Sequence, residues 1–147
     1  MGSESTDTEP LLVVKDLRTH FMVPAGAVKA VYGVSLTLER GKTLGVVGES
    51  GSGKTILSRS IMGLNVVANA VTTGSVRYAG MELVGQRPKQ MKHLWGVEMA
   101  MVFQDPMTSL NPCLRIGRQL TEALELHSDL RGRRARERAS RELERVG

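Results

Sequence analysis

The sequence predicts an α/β fold in which antiparallel strands lead into a buried strand, a glycine-rich loop and a helix, and three observations carry that prediction. Val34-Ser35-Leu36-Thr37-Leu38-Glu39 alternates strictly between apolar and polar residues, as a strand with one solvated face does. Thr43-Leu44-Gly45-Val46-Val47 is a continuous apolar run of the kind buried on both faces. Directly after it come Gly48-Glu49-Ser50-Gly51-Ser52-Gly53-Lys54-Thr55 and then Leu57, Ile61 and Leu64 at helical spacing, with Gly63 where a helix can end. A chain of 147 residues that is 41% hydrophobic has room for one domain or part of one; a complete domain of this size buries about 68 to 70% of its unfolded surface.

The remaining elements follow in order. Residues 1–10 are polar and acidic and are expected to form a disordered tail. They carry no basic region and lead into no apolar stretch of signal or membrane-spanning length, so the chain is expected to stay in the cytosol. Met1-Gly2 with Thr6 formally fits a myristoylation pattern, but the pattern is short and a plain tail explains the residues better. Leu11 to Val14 is a first strand, Arg40-Gly41-Lys42 a turn, and Gly74-Ser75-Val76-Arg77-Tyr78-Ala79-Gly80 a short strand closing in a turn. Met99 to Phe103 reads as a second buried strand, and Leu120, Ala123, Leu124 and His127 outline an amphipathic helix. The single cysteine, Cys113, excludes an internal disulfide, and no His or Cys pair has the spacing of a zinc site.

The formal charge of +5 raises the question of a nucleic-acid partner. The basic residues crowd into 131–146, where Ala135, Ala139, Leu143 and Val146 recur at helical spacing among mixed charges. Glu137 with Arg141 and Arg138 with Glu142 are placed to form surface pairs of about 0.2 to 0.5 kcal/mol each. Mixed charge without interleaved aromatics describes a solvated helix, so no nucleic acid is expected as a partner.

The chemistry lies in the glycine-rich loop. Gly48, Gly51 and Gly53 permit a tight turn in which consecutive backbone N–H groups converge on phosphate oxygens at a helix N-terminus. Lys54 adds a mobile positive charge for the β- and γ-phosphates, and the Thr55 hydroxyl can ligate a Mg²⁺ ion held by the same phosphates. Charge-assisted bonds of this kind contribute about 1.5 to 3 kcal/mol each, so several of them dominate affinity. The strand before and the helix after are the context that the motif requires.

Such a loop serves GTPases, kinases, helicases and transporter ATPases alike. The chain has no Asn-Lys-x-Asp guanine-reading motif, which argues against a GTPase. Taking Ala100 to Asp105 as a strand ending in a magnesium-organising aspartate is awkward, because Gln104 stands between the apolar run and the acid.

Gly45 to Thr55, followed downstream by Phe103-Gln104-Asp105-Pro106-Met107-Thr108-Ser109-Leu110-Asn111-Pro112, resembles the ATP-binding subunits of ATP-binding cassette (ABC) importers for dipeptides, oligopeptides and nickel. The resemblance extends from Leu11 through Val28-Lys29-Ala30-Val31 to Gly147, and the run from Gln104 to Pro112 is its most discriminating part. It implies a P-loop NTPase of the ABC type over 11–147: an antiparallel β subdomain, part of a RecA-like core, and the start of a helical subdomain from about 113. It also implies ATP and Mg²⁺ as cofactors, with Gly48, Glu49, Ser50, Gly51, Ser52, Gly53, Lys54 and Thr55 around the phosphates. Gln104 would be the Q-loop residue that touches the metal or the attacking water. Phe21, or less readily His20, resembles the aromatic that stacks on adenine, with Val28 beside it.

The same resemblance implies a second ATP-binding subunit as partner, in a homodimer or heterodimer. It further implies transmembrane permease subunits, an indirect link to a solute-binding protein, and a place on the cytoplasmic face of the membrane. The family's signature, Walker B acid and switch histidine follow the region covered here, and Leu83-Val84-Gly85-Gln86 is no substitute for the signature. Two expectations stand side by side: an importer ATPase of which this is the N-terminal part, or, in its place, a short module that binds nucleotide without hydrolysing it or a non-functional truncated fragment. A reading frame that continues past Gly147 into those motifs separates the first from the second.

Overall fold

A computed structural model describes residues 9–65, 67–104 and 110–147. Strands β1 (Leu12–Val23) and β2 (Gly26–Leu38) form a long antiparallel hairpin turning through Pro24 and Ala25. Strand β3 (Ala70–Tyr78) pairs with the other edge of β1, and the two-residue β4 (Met81–Glu82) pairs with β3, giving the order β2-β1-β3-β4. The strands read from Leu11, Val34 and Gly74 are thus parts of one antiparallel sheet.

A bulge sets the faces of β1. Its register passes from Val14 opposite Leu36 to Leu17 opposite Val34, and on the other side from Lys15 opposite Ser75 to Arg18 opposite Thr73. Against both neighbours β1 therefore carries one extra residue. Asp16 takes a φ of 45° there, and its N–H donates to Ser35 Oγ at 2.9 Å. The extra residue turns a step of two into a step of three, so Val14, Leu17 and Thr19 share the buried face, at 1%, 0% and 0% exposure.

Helix α1 (Lys54–Ile61) contacts β1 and β2, and Leu57 and Met62 are buried together with Val31 and Val76 in this unit. The Glu82 carboxylate holds β4 in place by accepting from Ser75 Oγ at 2.5 Å and from the N–H groups of Val76 and Val84 at 2.9 and 3.1 Å. Burial pushes this carboxyl up, but the bonds from Ser75, Val76, Val84 and Leu83 together outweigh it and hold the group below its ordinary range. The short helix α2 (Pro88–Met91) follows, with Met91 buried.

Two expected core strands are not formed among the described residues. Thr43–Val47 joins no ladder, and Leu44, Val46 and Val47 are 44%, 48% and 94% exposed. An apolar run of this kind becomes a strand only beside parallel neighbours, and no described segment pairs with it. Of Met99–Phe103, Met99 makes an isolated bridge to Trp95, and Val102 stands exposed.

Contacts divide the chain into a unit ending at Lys92 and a second unit from His93. The second contains the packed helices α3 (Ile116–His127) and α4 (Gly132–Val146), with Leu94, Thr121 and Ala135 buried. Gln119 of α3 secures the preceding loop, accepting from Asn111 N–H at 2.8 Å and donating to the Asn111 and Leu114 carbonyls at 3.0 Å each. On α4 the expected pair Arg138–Glu142 forms at 2.7 Å, whereas Glu137 pairs back with Arg133 at 3.7 Å. Leu143 and Val146, read as part of an apolar face, are exposed. Among the described residues no helix is long and apolar enough to cross a membrane.

Candidate functional site

The loop from Gly48 to Thr55 runs into the first turn of α1, whose N-cap is Gly53. Gly51 and Gly53 take φ values of 78° and 91°, a region that side chains resist. The Gly53 carbonyl accepts the first helical bond from Leu57 N–H at 2.8 Å, and Ser52 N–H donates to the Glu49 carbonyl at 3.2 Å to close the turn before it. Gly53 has a second constraint from outside the loop. A Cβ placed on it would lie 2.5 Å from the carbonyl oxygen of Ala30 in β2. The loop is therefore seated directly on the hairpin.

Lys54 folds back across the loop. Its Nζ donates to the carbonyls of Gly48 and Glu49 at 2.7 Å each and reaches Ser52 Oγ at 3.4 Å. Thr55 is exposed in the first helical turn. A concavity of about 450 Å³ lies between Val31 and Tyr32 of β2 and Gly48, Ser52, Gly53 and Lys54 of the loop. The donor set suits a triphosphate with its magnesium: an ammonium, an exposed hydroxyl, and the orphan N–H groups of a helix whose dipole favours anions. Anionic oxygens would displace the neutral carbonyls from Lys54, since a charged acceptor makes the stronger bond.

Phe21 and Val28 are direct partners across the β1–β2 ladder near the hairpin tip, Phe21 half-buried and Val28 54% exposed. The regular β1–β3 register from Arg18 to Phe21 puts Phe21 on the same sheet face as Thr19. His20 lies on the opposite face with Arg18, its ring centroid 6.4 Å from that of Tyr32, while Arg18 stands 4.8 Å from the Tyr32 centroid. Gln104 is exposed and belongs to the second unit. Residues 105–109 of the predicted Q-loop region, 103–112, fall outside the described residues.

Residues 31–147 match the family model described as ABC transporter. The chain belongs to the ABC transporter family. Similar proteins within it include one of Brucella abortus, provisionally named a peptide import ATP-binding protein, 46% identical over 142 residues, covering 97% of this chain and 43% of that protein. The oligopeptide transport ATP-binding protein OppD of Bacillus subtilis is 44% identical over 138 residues, 93% of this chain and 38% of its own length. OppD of Escherichia coli is 44% identical over 138 residues, 94% of this chain and 41% of its own length. This ABC transporter chain thus spans about two-fifths of the length of the curated relatives it matches.

Three participants in the geometry carry no sequence signal of their own. Ala30 acts through its carbonyl oxygen, which no residue pattern reveals. Thr19 and Ser60 sit in an apolar strand and helix face where hydroxyls are ordinary, and only the structure brings them to 2.7 Å of one another.

Proposed function

We propose that this chain is the N-terminal part of the nucleotide-binding domain of an ATP-binding subunit that powers import of peptides or related small solutes. The observation that carries the proposal is the phosphate loop: Lys54 and the N-terminus of α1 converge on one mouth, and Gly53 is locked against Ala30, in a chain whose relatives are named for peptide import or oligopeptide transport.

In this proposal residues 48–54 hold the triphosphate and the Thr55 hydroxyl would ligate its Mg²⁺ ion, which would supply neutralisation of phosphate charge; Gln104, in the second unit, is the Q-loop residue. Phe21 stacks on the base and Val28 packs beside it. Lys54 exchanges its carbonyl partners for phosphate oxygens, so the loop carries a positive charge already aimed at the site. ATP hydrolysis belongs to the complete subunit, paired with a second ATP-binding subunit and docked on permease subunits at the cytoplasmic face of the membrane. A solute-binding protein delivers the cargo.

The test is peptide uptake by cells that depend on this gene. Lys54→Ala in the chromosomal copy should abolish energised uptake while the protein remains at its normal level. Undiminished uptake would overturn the proposal.

A further inference from the structure

We propose that the buried hydroxyl pair Thr19–Ser60 is a latch that holds the phosphate-loop helix in register with the base-contacting hairpin. It rests on the nucleotide-binding function proposed above and adds positioning residues to it.

Thr19 of β1 is 0% exposed and Ser60 of α1 is 4% exposed. Their oxygens are 2.7 Å apart. The direction of this bond follows from the hydrogens available. Ser60 has one hydroxyl hydrogen and gives it to the Ile56 carbonyl at 2.6 Å. It therefore accepts from Asn65 Nδ2, at 2.8 Å, and from Thr19. Thr19, having spent its own hydrogen, accepts from Thr72 Oγ1 of β3 at 3.3 Å. One chain of hydrogen bonds thus runs from β3 through β1 into α1 and the segment after it.

Such a chain does something that apolar packing at the same place would not. Apolar contacts tolerate sliding and rotation, whereas a fully satisfied buried polar network is directional and admits one arrangement. The helix is then pinned at two points. Its N-cap, Gly53, abuts the Ala30 carbonyl of β2, and its last full turn is bonded through Ser60 to β1. Two pins on two adjacent strands fix both tilt and rotation of α1 on the hairpin. Thr19 shares its sheet face with Phe21, which is opposite Val28. The latch consequently sets the distance between the triphosphate cradle and the base-contacting pair, so that both engage one nucleotide.

Loss of the latch should harm a ligand that spans both parts and spare one that uses the cradle alone. Thr19→Val, which keeps shape and removes the donor, and Ser60→Ala are made in the full chain and titrated with MgATP and with magnesium tripolyphosphate. Expected is an ATP affinity about 3- to 10-fold weaker and tripolyphosphate affinity within twofold of the parent, with Thr19→Ser restoring ATP binding. A parallel loss for both ligands would reduce the pair to a general stabilising contact and overturn the latch. Unchanged ATP affinity in both variants would overturn it as well. A parent chain that binds neither ligand would instead remove the nucleotide-binding function, and the latch with it. Should Thr19→Val fail to fold, Ser60→Ala with Thr19→Ser carries the same comparison.

Discussion

Gly53 meets the carbonyl oxygen of Ala30 so closely that a Cβ on Gly53 would come within 2.5 Å of it. The contact joins the glycine-rich loop to β2, and backbone on the receiving side cannot swing away as a side chain would. Gly53 also holds a φ of 91°. Gly53→Ala should therefore destabilise the first unit by about 2 to 4 kcal/mol, combining left-handed strain with a backbone clash. Gly51→Ala meets only the conformational cost, about 1 kcal/mol, because nothing lies within 4 Å of the added methyl group. Urea unfolding of the two variants checks the difference, and equal losses would refute the seating of the loop on β2.

At the bulge, a Cβ on Gly74 would run into the Asp16 carbonyl, and Gly74 has a φ of 99°. Gly74→Ala should cost about 2 to 4 kcal/mol and disturb the register that turns Leu17 and Thr19 inward. Amide exchange along β1 is the measurement, with protection expected to fall on both sides of Asp16.

Glu82 supplies a pH dependence. Its folded-state pKa is lowered from the ordinary 4.5, because hydrogen bonds from Ser75 and the Val76, Val84 and Leu83 amides outweigh the opposing effect of burial. A depressed carboxyl contributes stability that is fully present above its unfolded value and is lost as pH falls through its folded value. Glu82→Gln should lower stability by about 1 to 2 kcal/mol at neutral pH. The gap between parent and variant should narrow as pH drops below 4.5. Urea midpoints measured from neutral to acid pH check this, and a gap that widened in acid would contradict it.

In the second unit, Gln119 ties the segment from Asn111 to Leu114 onto α3 through three bonds. Gln119→Ala should cost about 1 kcal/mol, since these bonds are solvent-exposed. Faster proteolysis at 111–114, with the helices α3 and α4 retained, is the expected result.

Much of this was legible in the sequence where local chemistry decides the outcome. Alternation at Val34–Glu39, the spacing of Leu57, Ile61 and Leu64, and the loop between them each specify a local conformation. The faces of β1 were not legible, because Val14, Leu17 and Thr19 break the period of two and only the bulge at Asp16 reconciles them. Thr43–Val47 and Met99–Phe103 read as strands because they are apolar, yet strand formation depends on neighbours that a local pattern cannot supply. Of the candidate site, the glycine-rich loop 48–55 was plain as a sequence pattern and its seating on β2 was not. The Ala30 carbonyl and the Thr19–Ser60 bond are tertiary relations between backbone and common hydroxyls, which leave no motif.

The most direct test of the central claim is a titration of the protein and its Lys54→Ala variant with MgATP. Lys54 makes its bonds at the mouth of the loop, and a charge-assisted bond to phosphate contributes about 1.5 to 3 kcal/mol. The variant should therefore bind about 10- to 100-fold more weakly, while loss of the exposed bonds to the Gly48 and Glu49 carbonyls lowers its stability by no more than about 1 kcal/mol. Equal affinity for MgATP in parent and variant would contradict the assignment of Gly48 to Thr55 as the nucleotide site.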